Sequence, residues 1–401
     1  MKICFLSRLN PYNYRSWSGT SYHMFMSLAS YHEVTWIGDR HMNVVLRSFI
    51  KLNIFFERFL GIRRGYPYFN KWHSFFKGRA LKKILDQGKF DVIISPNSPD
   101  HIAYLSTHVP IIYLRDTTFQ LFVNYYPTFF GLSSSAIQEG NEIDRKAINN
   151  ASRVIYSSDW AAESAIEFYG IKKENVSIIS FGANLLFNYP AVDVICNDHD
   201  DGICTLLFVG LDWHRKGGET AYKTFLKLRE DGIKCKLIIV GCDPNVEKDD
   251  YVEVVPYLDK NSKHDLRRLL DIYSRSHFIL LPTVADCTPI VFSEAAAFGI
   301  PVLTTDTGGN SSIIKDGVNG YLFPTGTDEQ SYANRIKLIL QDRLLYHKLR
   351  KSCREEFETK LSWDAWLHRI NEIITQVVKS KNSNFDDKES PTSKANLEKS
   401  V

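Results

Sequence analysis

The sequence lacks the features of a membrane-spanning protein, of a zinc-binding protein and of a protein with disulfide bonds. No long apolar run is present, and the N-terminal run of residues 3–6 is far too short for a signal peptide or a membrane span. Its seven cysteines are scattered, odd in number and without a CxxC pair, which favours reduced, buried thiols over disulfides or a zinc site. We therefore expect a cytoplasmic protein without a targeting segment.

A strong excess of charge of one sign is also missing. The 49 lysines and arginines nearly balance 46 aspartates and glutamates, and a formal net charge of +3 is too mild to make nucleic acid the main partner. Apolar residues make up 44% and charged residues 24% of the chain, which is typical of a globular protein. Its 401 residues exceed what one hydrophobic core usually organises, so we expect two domains.

Short apolar runs rich in β-branched and aromatic residues alternate with helical stretches, in two successive series. The first series predicts strands over residues 2–7, 33–37, 91–95, 111–114, 153–157 and 176–180, with a helix over 159–169. The second predicts strands over residues 204–209, 236–240, 252–256, 277–281 and 301–304, with a helix over 219–231. Strands that alternate with helices in this way form parallel sheets with helices on both faces.

The two series are separated by a stretch that resembles neither. Residues 185–202 contain an Asn-Tyr-Pro step and an acidic run, and we interpret them as a linker. The domains are therefore expected at residues 1–187 and 203–360.

The end of the chain divides into two parts. Residues 361–378 carry Trp363 and Trp366 at helical spacing and predict a final helix. Residues 379–401 are polar and without apolar periodicity, so we expect them to be disordered.

Residues 43–83 mix aromatic side chains with lysines and arginines. A basic, aromatic helical stretch can lie on an anionic membrane surface. It can equally be a pair of helices that face the core and leave their cations in solvent, and we favour this second interpretation. A peripheral contact with the inner face of a membrane stays open.

The turn after the predicted strand 204–209 has the composition of an anion site. It begins at Gly210 and runs through Arg215, Lys216 and two glycines into the next helix. Backbone N–H groups and the helix dipole can face an anion there, and the two cations add the charge that a diphosphate requires. Solvated cations at a tight turn would give the same pattern about as often.

Two carboxylates follow in the second series. Asp286 lies in the loop after a predicted strand, and Glu294 lies eight residues later on the helix that this loop opens. The spacing places them at different depths of one cleft, where one can accept the ribose hydroxyls of a nucleotide and the other a sugar hydroxyl. Either residue alone is more often a helix cap or a surface acid, but the pair beside a basic turn favours a nucleotide-sugar site.

These segments resemble the retaining glycosyltransferases of family 4, and the resemblance covers residues 1–378. The family's Glu-x7-Glu pair appears here as Asp286 and Glu294, and its diphosphate-binding Lys-Gly as Lys216 and Gly217. The resemblance implies an α/β protein of the GT-B fold. In that fold two Rossmann-like domains face each other across a cleft, and a C-terminal helix crosses back to the N-terminal domain.

The N-terminal half carries two further matches. Gly19 and Thr20 follow the first strand, where the family has a glycine-rich loop that closes over the donor phosphates. Residues 181–184 resemble the family's turn at the end of the N-terminal domain.

The sequence also departs from the family. Leu211 stands where the family usually has an arginine, and Arg215 could substitute for it. The donor loop Asp286, Cys287, Thr288 and Pro289 replaces the family's usual Glu-Gly-Phe-Gly, and its proline lacks an N–H group.

A further departure lies in the N-terminal half. Asp116 follows the predicted strand 111–114, where many members have a histidine. It either acts near the reacting centre or caps the next turn.

The resemblance implies transfer of a hexosyl group from a nucleotide diphosphate sugar, as co-substrate, to a glycan or lipid-linked acceptor. Asp116, Lys216, Arg215 and Asp286 are expected to be catalytic. The expected substrate-binding residues are Gly19, Thr20, Gly210, Lys216, Cys287, Thr288, Pro289, Ile290 and Glu294. No metal or other cofactor is expected, because protein cations take the metal's place. A nucleotide-sugar epimerase of the same fold and a catalytically silent scaffold are the alternatives.

Overall fold

The computed structural model describes residues 1–59, 67–185, 202–244, 246–247 and 249–389, which contain two six-stranded sheets. The strands of the first sheet are β1 (Lys2–Leu6), β2 (Glu33–Ile37), β3 (Val92–Pro96), β4 (Ile111–Arg115), β5 (Arg153–Tyr156) and β6 (Val176–Ile178). Those of the second are β7 (Cys204–Val209), β8 (Cys235–Val240), β9 (Val252–Val255), β10 (Phe278–Leu281), β11 (Val302–Thr305) and β12 (Gly320–Phe323).

The helices in the described residues follow the strands in alternation. They are α1 (Thr20–Ala29), α2 (Val44–Phe59), α3 (Lys71–Leu85), α4 (Pro99–Ile102), α5 (Phe119–Phe122), α6 (Ser134–Asn150), α7 (Asp159–Glu167), α8 (Gly218–Glu230), α9 (Lys263–Ser274), α10 (Ile290–Ala297), α11 (Asn310–Ile313), α12 (Glu329–Gln341), α13 (Arg343–Glu356) and α14 (Trp363–Glu389). None of them combines the length and the apolar character that crossing a membrane requires.

Both sheets are parallel, and each reverses its strand order once. The first has the order β2-β1-β3-β4-β5-β6 and the second β12-β11-β10-β7-β8-β9. The second, counted from β7, is the Rossmann order. Parallel sheets of this kind bind ligands beyond the carboxyl ends of the strands, at the reversal. That point lies between β1 and β3 in one sheet and between β7 and β10 in the other.

The central strands are buried throughout and mostly apolar because helices cover both of their faces. Every residue of β3, β4 and β10 is buried. Along β3, Ile93 packs into one core of the N-terminal half, whereas Val92 and Ile94 pack into a second core on the other side of the sheet. Such double burial is what makes parallel strands appear as continuous apolar runs in a sequence. The predicted fold class is confirmed.

The last helix packs on the first sheet. Trp366, Ile370 and Ile374 of α14 are fully buried in the same core as Phe5 of β1 and Met24 of α1. The predicted return of the chain to the N-terminal domain is therefore confirmed.

The predicted end of that helix at residue 378 was wrong. Helix α14 continues to Glu389, so residues 379–389 are helical rather than disordered. A helix already nucleated gains one backbone hydrogen bond for each residue added, so it can extend without an apolar face. Residues 390–401 and nearly all of the predicted linker lie outside the described residues, and the domain limits at 187 and 203 stay predictions.

The helix pair of residues 43–83 differs from our expectation. Helix α3 faces the core with residues such as Lys77 and Leu81, but α2 leaves most of its apolar side chains in solvent. Val45 is 74% exposed and Phe59 76% exposed, and Trp72 at the start of α3 is 68% exposed. The favoured interpretation, in which both helices face the core, holds for α3 and for the side of α2 that carries Leu46 and Ile50, but not for the rest of α2.

Candidate active site

A cavity of about 410 Å³ lies between the two sheets, where β7 and β10 end. Both halves of the chain line it, as the reversal of strand order leads us to expect. From the N-terminal half come Trp17, Thr20, Asp116 and Tyr126, and from the C-terminal half Gly210, Arg215, Lys216, Lys260, Asp286, Cys287, Thr288, Pro289, Ile290 and Glu294. Of the predicted site residues, Gly19 is absent from this lining.

The turn after β7 is held against the segment after β10. Gly217 has a φ of +76°, and a Cβ atom there would lie 1.9 Å from the carbonyl oxygen of Pro282. Glycine therefore permits both the left-handed conformation and the close contact. This contact brings Lys216, on one loop, next to Asp286, on the other.

Two cations converge on the carboxylate of Asp286. Lys216 Nζ is paired with Asp286 Oδ2, and Arg215 Nη1 lies 3.9 Å from the same oxygen. Arg215 Nη1 also donates to the backbone oxygen of Ala285 at 2.7 Å. All three side chains are at most 20% exposed, so water screens their charges weakly. In such a site a diphosphate can take the place of the Asp286 carboxylate as the partner of the two cations.

Glu294 is the most deeply buried acid of the cavity, with 1% of its surface exposed. Its Oε2 accepts a hydrogen bond from the hydroxyl of Tyr273 at 2.8 Å, and its Oε1 is paired with Lys260 Nζ. We did not predict Lys260, because it lies in an irregular loop after β9 and belongs to no motif. The one signal in the sequence that could have identified Lys260 is its position after a strand of the sheet that also positions Glu294.

The donor loop is structurally compatible with its proline. Pro289 immediately precedes α10, and its carbonyl oxygen accepts from the N–H of Phe292 at 3.1 Å. The first N–H groups of a helix have no acceptor within the helix, so the missing N–H of Pro289 removes no helical bond. Burial raises the pKa of the Cys287 thiol well above its usual range. A raised pKa makes a thiol a weaker nucleophile than a free cysteine.

Tyrosines of the N-terminal half hold the donor loop from the other side of the cleft. The Tyr125 hydroxyl donates to the backbone oxygen of Asp286 (3.1 Å) and accepts from its N–H (2.9 Å). The Tyr126 hydroxyl accepts from the N–H of Cys287 at 3.1 Å. The sequence drew attention to this region only through its aromatic content, since nothing in it shows which hydroxyl reaches across the cleft.

Asp116 faces the same cavity. Its Oδ2 accepts from Trp17 Nε1 at 3.0 Å, and its Oδ1 has no hydrogen-bond partner among the residues described. Burial raises the pKa of Asp116, against the opposing effect of Arg115. The cap of the following helix is the side chain of Thr118, which accepts from Leu121 N. The capping role that we considered for Asp116 therefore belongs to Thr118.

Thr20 and the turn at the end of the N-terminal domain are joined by Asn184. Asn184 Nδ2 donates to Thr20 Oγ1 (3.0 Å) and to the carbonyl of Ser18 (2.9 Å), and its Oδ1 accepts from Trp363 Nε1 at 3.2 Å. Gly19, with a φ of +93°, faces the ring of Tyr14. It shapes the backbone before α1.

Comparison with known proteins finds two family matches in succession. Residues 28–185 match the model of Glycosyltransferase Family 4, and residues 197–356 match that of Glycosyl transferases group 1. Spore coat protein SA of Bacillus subtilis is 36% identical over 304 residues, which cover 71% of this chain and 78% of that protein. A D-inositol 3-phosphate glycosyltransferase of Nocardia farcinica is 24% identical over 239 residues, 54% of this chain and about half (52%) of that relative.

Among solved structures, Anabaena HepE in complex with UDP-glucose superimposes with a TM-score of 0.58. The match covers 95% of this chain and 100% of that one, at 16% sequence identity. At this identity the likeness shows the fold.

Proposed function

This chain belongs to the family 4 glycosyltransferases of the GT-B fold, and we propose that it transfers a hexosyl group from a nucleotide diphosphate sugar to a glycan or lipid-linked acceptor. We propose further that the anomeric configuration is retained. The observation that carries the proposal is the convergence of Lys216 and Arg215 on one carboxylate in a cavity lined by both domains. The UDP-glucose complex of HepE supports the choice of donor class.

The cations act on the leaving group. When the bond between the anomeric carbon and the diphosphate oxygen breaks, negative charge grows on the diphosphate. Lys216 and Arg215 neutralise that charge, and because their side chains are at most 20% exposed, water weakens this stabilisation little. The hydroxyl oxygen of the acceptor then bonds to the anomeric carbon on the face that the diphosphate leaves, and its proton passes to the departing diphosphate oxygen.

The carboxylates position the donor. Glu294 holds the ribose through hydrogen bonds from its hydroxyls, and Lys260 and Tyr273 fix the orientation of the carboxylate. As the diphosphate replaces Asp286 as the partner of the two cations, the Asp286 side chain is released to accept from the sugar. Asp116 lies on the opposite wall of the cavity, and we assign it a role at the anomeric carbon.

This arrangement lets protein cations do what a metal does in other phosphate sites. We therefore expect the transfer rate in excess EDTA to equal that in its absence. A loss of activity on chelation that Mg²⁺ or Mn²⁺ restores would contradict this part of the proposal.

The experiment that tests the function incubates the protein with UDP-, GDP- and ADP-hexoses, alone and with a mixture of glycan and lipid-linked acceptors. Transfer predicts nucleotide release that depends on an acceptor, and a product whose anomeric proton coupling in NMR matches that of the donor. An altered sugar formed from the donor alone would identify an epimerase. No turnover of any donor would favour a scaffold.

We also propose that the exposed face of α2 rests on an anionic membrane, where a lipid-linked acceptor would lie. Its exposed apolar side chains include Phe49, Leu52 and Phe55. Lys51 and Arg47 on the same helix, with one glutamate along its length, give it a positive charge. Apolar and cationic side chains together are what binds a helix to the interface of an anionic bilayer.

Vesicle sedimentation tests this docking. We expect Phe49→Ser/Leu52→Ser to lose most of its binding to phosphatidylglycerol vesicles. Leu338→Ser/Leu344→Ser is a matched control, since both leucines are exposed in the other half of the chain. Equal binding by the two variants would contradict the proposal.

A further inference from the structure

A second cavity, of about 220 Å³, lies in the N-terminal half beyond the ends of β1, β3 and β4. Tyr126 lines both this cavity and the one between the sheets, so its ring forms a shared wall. The other residues that line it are Arg8, Tyr68, Phe69, Asn97, Pro99, Arg115, Phe122, Thr128 and Phe129. No motif of the sequence and no step of the proposed donor chemistry uses it.

Aromatic rings form most of its walls. Phe122 and Phe129 stack with their ring centroids 4.6 Å apart and their planes 1° from parallel. Phe69 and Tyr68 continue the wall. Flat aromatic faces of this kind pack against sugar rings or other apolar surface.

Arg115 has buried N–H groups that donate no hydrogen bond within the described residues. Its side chain is 1% exposed, and its Nη1 donates to Asp144 Oδ1 (2.7 Å) and to the hydroxyl of Tyr113 (2.8 Å). Its Nε and Nη2 have no hydrogen-bond partner in the part of the chain that the structure describes. Buried donors without an acceptor destabilise a protein. A ligand oxygen in the cavity would satisfy them.

Arg8 adds a second guanidinium. It lies two residues after the end of β1, and its Cζ lies 3.4 Å from the centroid of the Tyr68 ring. Within the described residues no carboxylate lies at ion-pair distance from Arg8. Asp100, which the charge of Arg8 influences, is itself paired with Lys77 at 2.6 Å. Arg8 and Arg115 therefore both line the cavity, and within the described residues Asp144 is the one carboxylate paired with either of them, so the cavity favours an anion.

We propose that this cavity binds an anionic group of the acceptor, a phosphate or a carboxylate, through Arg8 and Arg115, with the aromatic walls against the adjoining ring. This inference rests on the proposed function, because it takes the ligand to be the molecule that receives the sugar. The planar, multiply donating guanidinium is the group that best matches the oxygens of phosphate and carboxylate.

The position of the cavity suits an acceptor. Arg115 and Asp116 are neighbours at the end of β4, and successive side chains along a strand point to opposite sides. Arg115 accordingly lines the second cavity and Asp116 the first. A molecule whose anionic group lies on Arg115 can pass Tyr126 and present a hydroxyl near Asp116.

The test compares Arg8→Gln with Arg40→Gln. Arg40 is a matched control, because its guanidinium also lies over a ring of the same half, 4.0 Å from the Trp36 centroid, but outside both cavities. Ligand-observed NMR would measure the binding of glucose 6-phosphate, glucuronic acid and glucose, with and without UDP. Thermal shifts with UDP, GDP and ADP would report on the donor site in the same proteins.

We expect wild type to bind one or both of the anionic sugars at least about tenfold more tightly than glucose. In Arg8→Gln the affinity for these anionic sugars should fall about tenfold. Arg40→Gln should match wild type, and all three proteins should give the same shift with UDP. The phosphate and carboxylate probes distinguish the two anions. Glucose that binds as tightly as the anionic sugars, or equal losses in the two variants, would overturn the inference. Anion binding without a thermal shift from UDP, GDP or ADP would keep the cavity and reject the proposed transfer.

Discussion

The two sides of the cleft carry different chemistry. On the C-terminal side, charged groups are already paired with one another: Lys216 with Asp286, and Lys260 with Glu294. On the N-terminal side, four of the eight residues that line the cavity are aromatic, among them Trp17 and Tyr126, and the charged ones are Arg15 and the half-buried Asp116. The C-terminal side can therefore exchange its internal ion pairs for ion pairs with a charged ligand. The N-terminal side contributes hydroxyl groups and aromatic surfaces that pack against a ligand.

This difference assigns separate tasks to the two sides. Exchange of ion pairs suits the binding and departure of a diphosphate, because binding a diphosphate depends more on charge than on shape complementarity. Hydroxyl groups that reach the backbone of Asp286 and Cys287 fix the donor loop once the two halves meet. Changes on the C-terminal side should therefore affect binding of the nucleotide, and changes on the N-terminal side the transfer that follows.

The largest effect is expected on the charged side. Lys216→Met removes a cation from the leaving group, and we expect kcat/KM for transfer to fall by about 10²–10³-fold. Lys223→Met, at an exposed position on the helix that follows the same turn, is the control. Acceptor-dependent release of the nucleotide measures both. If Lys216→Met kept more than a tenth of the wild-type rate, the cationic leaving-group site would be wrong.

A smaller effect is expected at His23, where the two sides interact. Burial, and then the charge of Lys260, lower the pKa of His23 to about 3. Below the unfolded-state pKa of about 6.5 the unfolded chain binds a proton that the folded chain excludes, so stability falls as pH falls from about 6.5 towards 3. At pH 5 the loss is about 2 kcal/mol.

Unfolding by urea at pH 7 and at pH 5 would measure this loss in wild type and His23→Gln. We expect the stability of His23→Gln to depend less on pH by about this amount. His264→Gln is the control, since the His264 side chain is 86% exposed. The same pH dependence in all three proteins would show that His23 is not held neutral by the fold.

The smallest effect is expected for a hydroxyl group of the N-terminal side. Tyr125→Phe removes the hydrogen bonds to the backbone of Asp286, and we expect kcat/KM for transfer to fall about fivefold. The thermal shift with UDP should stay unchanged, because the charged groups of the other side remain. Tyr31→Phe is the control, since Tyr31 is exposed outside the cavity. A large loss of the UDP shift in Tyr125→Phe would break the division of tasks between the two sides.

The sequence predicted most of the fold and of the charged side. Strands such as β4 and β10 could be predicted because burial on both faces makes them nearly continuous apolar runs. Lys216, Asp286 and Glu294 could be found because each lies in a loop or helix that directly follows a strand of one sheet, so their distances along the chain carry spatial information.

The remainder depends on contacts between distant segments. Lys260 reaches Glu294, and Tyr125 reaches Asp286, over loops whose meeting is set by the packing of the two halves. The strand β12 was missed because its four residues begin with glycine and pair with β11 alone. The solvent-facing side of α2 was misjudged because periodicity shows that a helix has an apolar face, not what covers it.

The central claim is that a nucleotide diphosphate sugar binds in the C-terminal half, and a thermal-shift measurement with UDP, GDP, ADP and their sugars tests it most directly. The proteins are wild type, Glu294→Gln and, as a control, Glu230→Gln, which changes an exposed acid paired with Lys227. A ligand at about 100 times its dissociation constant stabilises by about 2.7 kcal/mol. We predict that one nucleotide shifts wild type and Glu230→Gln but not Glu294→Gln. No shift in wild type, or an equal shift in Glu294→Gln, would contradict the claim.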